Sequence, residues 1–168
     1  MTVRAIRDIE AGTEINLSCT YLPLSPLAHF LTGKKKDTDF GLTFHERQTA
    51  LKAKWGFDCT CTLCSASPST IAASDARRKK INELGTIVIK HVENQDFKQA
   101  IKQHHEMMET IEEENLAPHM GDYYEVMTRL LAATKDMKKA KKYARLAIDE
   151  FGTAGETKRE LEAFLKVA

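Results

Sequence analysis

Cys59-Thr60-Cys61-Thr62-Leu63-Cys64 runs directly into Ser65-Ala66-Ser67-Pro68-Ser69-Thr70, and the reading of this stretch divides the chain. Three thiols so close in sequence can converge on one ion, because a tight loop turns them inward. Zinc takes four ligands in a tetrahedron, with thiolates at ~2.3 Å, so three cysteines supply one face and leave a corner open. The small polar residues and proline that follow have the composition of a linker. Ahead of them, residues 1–68 read as strand and loop. Behind them, residues 69–168 form a second unit whose pattern is helical from 73 onward.

Working back from the cysteines, residues 45–54 have the spacing of a short helix, with Leu51 and Trp55 in phase. The stretch from Pro23 to Phe44 carries prolines, glycines and Lys34-Lys35-Lys36, and reads as a long surface loop. Glu14 to Leu22 alternates: Ile15, Leu17, Cys19 and Tyr21 share one face, and Asn16, Ser18 and Thr20 the other. Period-two alternation of this length is the signal of a half-buried strand. Thr2 to Ile9 is a second strand candidate, joined to the first by the turn Glu10-Ala11-Gly12-Thr13. Two or three strands make a poor sheet alone, so partner strands are expected upstream in a longer protein or from a second chain. A homodimer that exchanges strands would complete the sheet.

Working forward, apolar residues recur at helical spacing. Ile81, Leu84, Val88 and Val92 form one stripe, and Phe97, Ala100, Ile101, His104, Met108 and Ile111 a second. Tyr123, Met127, Leu130 and Leu131 form a third, and Met137, Ala140, Ala144, Ala147, Ile148 and Phe151 a fourth. Gly152 stands where a C-cap glycine belongs, and Glu156 to Val167 reads as a fifth helix. Asp96-Phe97-Lys98-Gln99-Ala100 recurs as Asp136-Met137-Lys138-Lys139-Ala140, each with an Asp N-cap opening a helix. The style is that of a tetratricopeptide-like array, at an offset longer than the usual ~34 residues. Such arrays mostly bind peptides or brace a neighbouring domain.

The composition is that of an ordinary globular protein, 42% hydrophobic and 29% charged. A formal charge of +1 gives no overall field for nucleic acid or an anionic membrane. No apolar run approaches the ~20 residues needed to cross a bilayer, and Met1 to Glu10 has no apolar core of a secretory signal. Cytoplasm or nucleus is the expected compartment, where clustered cysteines bind metal more often than they form disulfides. Zinc is therefore expected on Cys59, Cys61 and Cys64. Cys19, the remaining cysteine, is either a buried core thiol or the fourth ligand. His29 and His45 are further candidates, whereas His104 and His105 sit in a helical pattern and pack or face solvent. A hydrolytic zinc site is poorly supported, since no Glu or His lies close in sequence to act as its base.

Three features, in order, resemble a known family. Residues 5–15, Ala5-Ile6-Arg7-Asp8-Ile9-Glu10-Ala11-Gly12-Thr13-Glu14-Ile15, resemble the strand-turn-strand that leads to the catalytic tyrosine of SET domains. Arg47, Leu51 and Trp55-Gly56-Phe57-Asp58-Cys59-Thr60-Cys61-Thr62-Leu63-Cys64 resemble the end of that domain and its post-SET zinc loop. The helical tail resembles the C-terminal domain of the SET-and-MYND (SMYD-like) methyltransferases, including their fungal relatives. The resemblance implies an α+β fold: a small incomplete SET-type β region with a zinc loop, then a mostly helical domain. It implies protein-lysine N-methylation with S-adenosylmethionine, and places Trp55 and Phe57 against the methyl donor and the lysine channel. An aromatic wall there attracts the sulfonium and excludes water.

The chain also departs from the pattern. The Asn-His-x-Cys segment that supplies the fourth zinc ligand has no counterpart, and neither do the Gly-rich start of the domain and the MYND finger. Where the family reads Glu-Ile-x-x-Ser-Tyr, this chain reads Glu14-Ile15-Asn16-Leu17-Ser18-Cys19. Tyr21, on the same strand face but ~7 Å further along, is the remaining candidate for the catalytic tyrosine. Two functions follow from this sequence. One is part of a methyltransferase acting on a protein or peptide substrate. The other is an inactive, zinc-containing module that binds a protein partner through its helices.

Overall fold

A computed structural model describes residues 10–11, 42–114, 116, 120–151 and 155–167. Among them the chain is helical: α1 (Phe44–Trp55), α2 (Pro68–Glu93), α3 (Phe97–Glu113), α4 (Met120–Ala133), α5 (Met137–Phe151) and α6 (Glu156–Val167). No strand occurs among the described residues. Both expected strands, Thr2 to Ile9 and Glu14 to Leu22, lie outside them, as do Gly152 and the lysine run at 34–36. The expected helical domain is present; no helix of it is long and apolar enough to cross a membrane.

Helix α2 begins inside the stretch read as a linker. Ser67 is its N-cap, accepting from the Thr70 N–H at 3.2 Å, and Pro68 occupies the first turn. Proline there loses nothing, because that N–H has no intrahelical partner in any case. Helices α2 and α3 then run antiparallel. Near the open end of this pair the Ser74 hydroxyl meets Glu114, further along Lys80 meets Glu106 at 2.8 Å, and at the turn His91 approaches Asp96.

The turns α2–α3 and α4–α5 are built alike. Gln95 and Lys135 both take left-handed backbone conformations, at φ 57° and 63°. The Asp96 N–H donates to the His91 carbonyl at 2.8 Å and the Asp136 N–H to Leu131 at 3.0 Å; Gln95 and Lys135 donate to Val92 and Ala132. This is the Schellman pattern. The same two aspartates then cap the next helices, accepting from the N–H groups of Gln99 and Lys139. One residue thus ends one helix and starts the next. Because left-handed backbone suits glycine better than a residue with a Cβ, Gln95→Gly and Lys135→Gly should each stabilise the protein by ~0.5–1 kcal/mol. Urea unfolding monitored by circular dichroism would read the change; a loss of stability would mean that the side chain matters more than the backbone.

The core collects the expected stripes. Ile81, Leu84, Val88, Ala100, Met108, Ile111, Tyr123, Met127, Leu130, Leu131 and Ala140 are all buried in one cluster, joined by Met107, Met120 and Val126. Ala144 and Ala147 continue the α5 stripe against Leu161 of α6. Small residues on α5 let its backbone approach its neighbours closely, which larger side chains would prevent. The buried hydroxyls of Thr110 and Thr128 are satisfied within their own helices, by the carbonyls of Glu106 and Tyr124.

Two buried polar features have partners that the helical pattern does not show. Glu114, at the end of α3, accepts from Ser74, from Arg77 Nε at 2.8 Å and from Arg78 Nε at 2.9 Å. It joins α2 to the end of α3. His104 is fully buried, its ring stacked on Tyr123 with centroids 5.8 Å apart. Its Nε2–H donates to the Tyr123 carbonyl at 2.9 Å, and its Nδ1 has no hydrogen-bond partner among the described residues.

That histidine makes stability depend on acid. Burial pulls its pKa down to about 4 from an ordinary 6.5, although the Tyr123 carbonyl opposes the shift. The folded protein therefore holds His104 neutral while the unfolded chain takes up a proton. Stability is complete above pH ~6.5 and falls as the pH drops towards 4, by something on the order of 3 kcal/mol. In His104→Gln, the fall in urea midpoint between pH 7 and 4.5 should be markedly shallower; an unchanged slope would assign the acid sensitivity to other groups.

Candidate metal centre

The site is prepared by α1. Thr43 caps it, its N–H and hydroxyl both donating to the Glu46 carboxylate at 2.7 and 2.6 Å. Those bonds hold the Glu46 pKa below the usual carboxylate value. The helix is seated on α2 at its first turn: the Phe44 N–H donates to Asp75 Oδ1 at 2.7 Å. Arg47, buried on the next turn, donates to the Leu42 carbonyl at 2.7 Å and lies 3.8 Å from the same Asp75. Its Nη2 has no hydrogen-bond partner among the described residues.

Gly56 ends α1. It adopts φ 76°, and its N–H donates to the Lys52 carbonyl at 3.0 Å. That left-handed residue turns the chain out of the helix and into the cysteine loop. The loop closes on itself: the Ser65 N–H donates to the Cys61 carbonyl at 2.9 Å, Ala66 to Leu63, and the Ser65 hydroxyl to the Thr60 carbonyl.

The turn brings the thiols together. Sγ of Cys59, Cys61 and Cys64 all lie within 4.8 Å of one another. None of the three is in a disulfide. Thiolates at ~2.3 Å from a tetrahedral zinc sit ~3.8 Å apart, so the three sulfurs are close enough together to share one ion. Among the described residues no His, Asp or Glu joins the cluster. Cys59 is buried, Cys64 half-buried and Cys61 exposed.

The thiols share charge unevenly. For Cys61, burial works to raise the pKa. Hydrogen bonds from the Cys64 backbone and from the Cys59 and Cys64 side chains outweigh it and leave the thiol below its usual value. Cys64 is pushed up to about 12, by burial first and then by its hydrogen bond to Cys61 and the charge there. Negative charge on one thiol thus makes its neighbour harder to ionise. A divalent ion supplies the positive charge that lets all three ionise, so the donor set fits zinc.

Trp55 and Phe57 flank the loop and are not core residues. They are 64% and 44% exposed, and the Lys54 ammonium lies 5.3 Å from the Trp55 ring centroid. Cys19, Tyr21 and His29 lie outside the described residues, while His45 is exposed on α1. The sequence reading missed Gln48, whose side chain pairs with the Cys59 backbone. No motif flags it, because a glutamine on a helix carries no spacing signal.

Comparison with known proteins now bears on this geometry. No protein-family model matches the chain, and no solved structure matches it. Over 82 residues, 48% of its length, the chain is 39% identical to the histone-lysine N-methyltransferase Set5 of Schizosaccharomyces pombe. It spans about a fifth of that relative's length, 20%. By sequence, then, the chain is similar to part of a lysine methyltransferase, and this likeness, together with the cluster of three thiols, supports a SET-related protein.

Proposed function

We propose that this chain forms the C-terminal part of a SET-type protein-lysine N-methyltransferase that uses S-adenosylmethionine. Residues 1–68 would be the end of the catalytic domain with its zinc loop, and residues 69–168 a tetratricopeptide-like helical domain of the SMYD-like kind. The observation that carries the reading is the thiol cluster, which immediately follows two exposed aromatic residues. Likeness to a named lysine methyltransferase supplies the reaction class.

Each part has a physical role. Zinc on Cys59, Cys61 and Cys64 pins a loop that hydrogen bonds alone would hold weakly. The metal is structural in this reading and takes no part in proton or methyl transfer. Trp55 and Phe57 offer open aromatic faces beside that loop. One face already attracts an ammonium group, and a sulfonium donor presents the same kind of charge. Burying those faces against the donor and the substrate side chain would exclude water from the transfer. Tyr21 is the candidate for orienting the lysine amine.

The test is native mass spectrometry of the purified chain with zinc, with and without S-adenosylmethionine. One zinc per chain and a donor adduct are expected. A methylation screen on peptide substrates would then show transfer, lost in Tyr21→Phe. Zinc with no donor adduct would overturn the enzymatic reading. A second reading, a zinc-containing module that binds protein through its helices, is favoured by Cys19 at the family's tyrosine position. That reading expects the metal without the donor.

A further inference from the structure

Gln48 holds Cys59 by both of that residue's backbone polar groups. The Cys59 N–H donates to Gln48 Oε1 at 2.7 Å, and Gln48 Nε2 donates to the Cys59 carbonyl at 2.8 Å. One side-chain amide thereby makes the pair of bonds that an opposing strand residue would make. The paired geometry also fixes the amide's orientation, since a flipped Gln48 would set oxygen against oxygen and N–H against N–H. Both bonds are partly buried, where hydrogen bonds gain strength from the lower local polarity.

The position of Gln48 in the chain adds to this. It follows Arg47, which is buried and pairs with Asp75 of α2, and Asp75 also receives the Phe44 N–H. The turn of α1 that grips the loop is therefore the turn anchored on the helical array. Cys59 is the buried thiol of the three and the first the chain reaches after Gly56. A second tie, Lys52 to Asp58 at 2.6 Å, spans the same gap but is exposed on both sides, where such pairs contribute little.

We propose that Gln48 is the positioning residue of the metal loop: its two-point grip on Cys59 pre-sets the thiol cluster and thereby sets its metal affinity. This rests on the zinc reading of the cluster. Partners that orient metal ligands typically contribute a factor of ~10–100 in affinity.

Co2+ binding reads the effect directly, by its visible absorption and by competition with a chromophoric chelator. Gln48→Ala, which suits a helix and only removes the grip, should weaken Co2+ binding by roughly 10–100-fold. Gln48→Glu keeps the acceptor for the Cys59 N–H but faces its carbonyl with a second acceptor, and should weaken binding as well. Lys52→Ala should leave affinity within about twofold, because the exposed tie it removes is weak. Helical circular dichroism should be the same in all three. In the metal-free protein, alkylation of Cys59 by iodoacetamide, mapped by mass spectrometry, should be faster in Gln48→Ala. A Gln48→Ala protein with wild-type affinity would overturn the proposal. A wild-type chain that takes up no Co2+ would overturn the zinc reading and the affinity effect with it. Unchanged Cys59 alkylation would separately overturn the grip.

Discussion

On the proposed zinc reading, Cys59→Ser, Cys61→Ser and Cys64→Ser should each lower zinc affinity by more than ~100-fold. The argument is one of ligand number. Removing a group that merely orients a ligand costs about 10–100-fold, and removing the ligand itself must cost more. A serine hydroxyl stays protonated at neutral pH and is a poor partner for zinc. The three thiols converge within 4.8 Å, so each replacement leaves two sulfurs and opens half of the tetrahedron. Zinc per chain, measured by native mass spectrometry or by chelator release, checks the outcome. Unchanged stoichiometry in any one variant would remove that cysteine from the site. The helical array should survive all three changes, because its core is made by α2 to α6 and includes none of these residues.

Glu114→Ala should have the largest effect on folding, destabilising the protein by about 3–5 kcal/mol. Glu114 is buried and receives hydrogen bonds from Ser74, Arg77 and Arg78. Of the two arginines, Arg78 is itself buried, with its side chain only 8% exposed. Removing the carboxylate leaves that guanidinium in a poorly solvated site, which is the costly way to break such a pair. Burial, with the charge of Arg47 nearby, already lowers the Arg78 pKa, and Glu114 works against that shift. Urea unfolding would measure the loss. The double variant Glu114→Leu with Arg78→Met should recover much of it, since apolar replacement of a buried pair is often neutral. If Glu114→Ala cost less than ~1 kcal/mol, the pair would have to be better solvated than its burial indicates.

The two expected results draw on features that stand in the sequence in different ways. The cysteine cluster was legible because its ligands are neighbours and a short loop brings them together with little help. The helices were legible for a related reason. Apolar stripes such as Ile81-Leu84-Val88 repeat at the helical period, and Asp96 and Asp136 are capping residues at the start of their runs. The start of α2 was misjudged as linker, because Ser67 and Pro68 suit a helix N-terminus as well as a loop.

Local order alone therefore determined that this chain carries a helical domain and a thiol cluster capable of holding zinc. Tertiary structure decided the rest. Glu114 finds Ser74 and Arg78 across the α2–α3 pair, and His104 loses its water to the ring of Tyr123. Gln48 reaches Cys59 only because Gly56 turns the chain back towards α1. The physical reason is common to all three. A periodic pattern can place a side chain on the apolar face of a helix, as it does His104, but its polar partner is set by which surfaces the packed helices bring together.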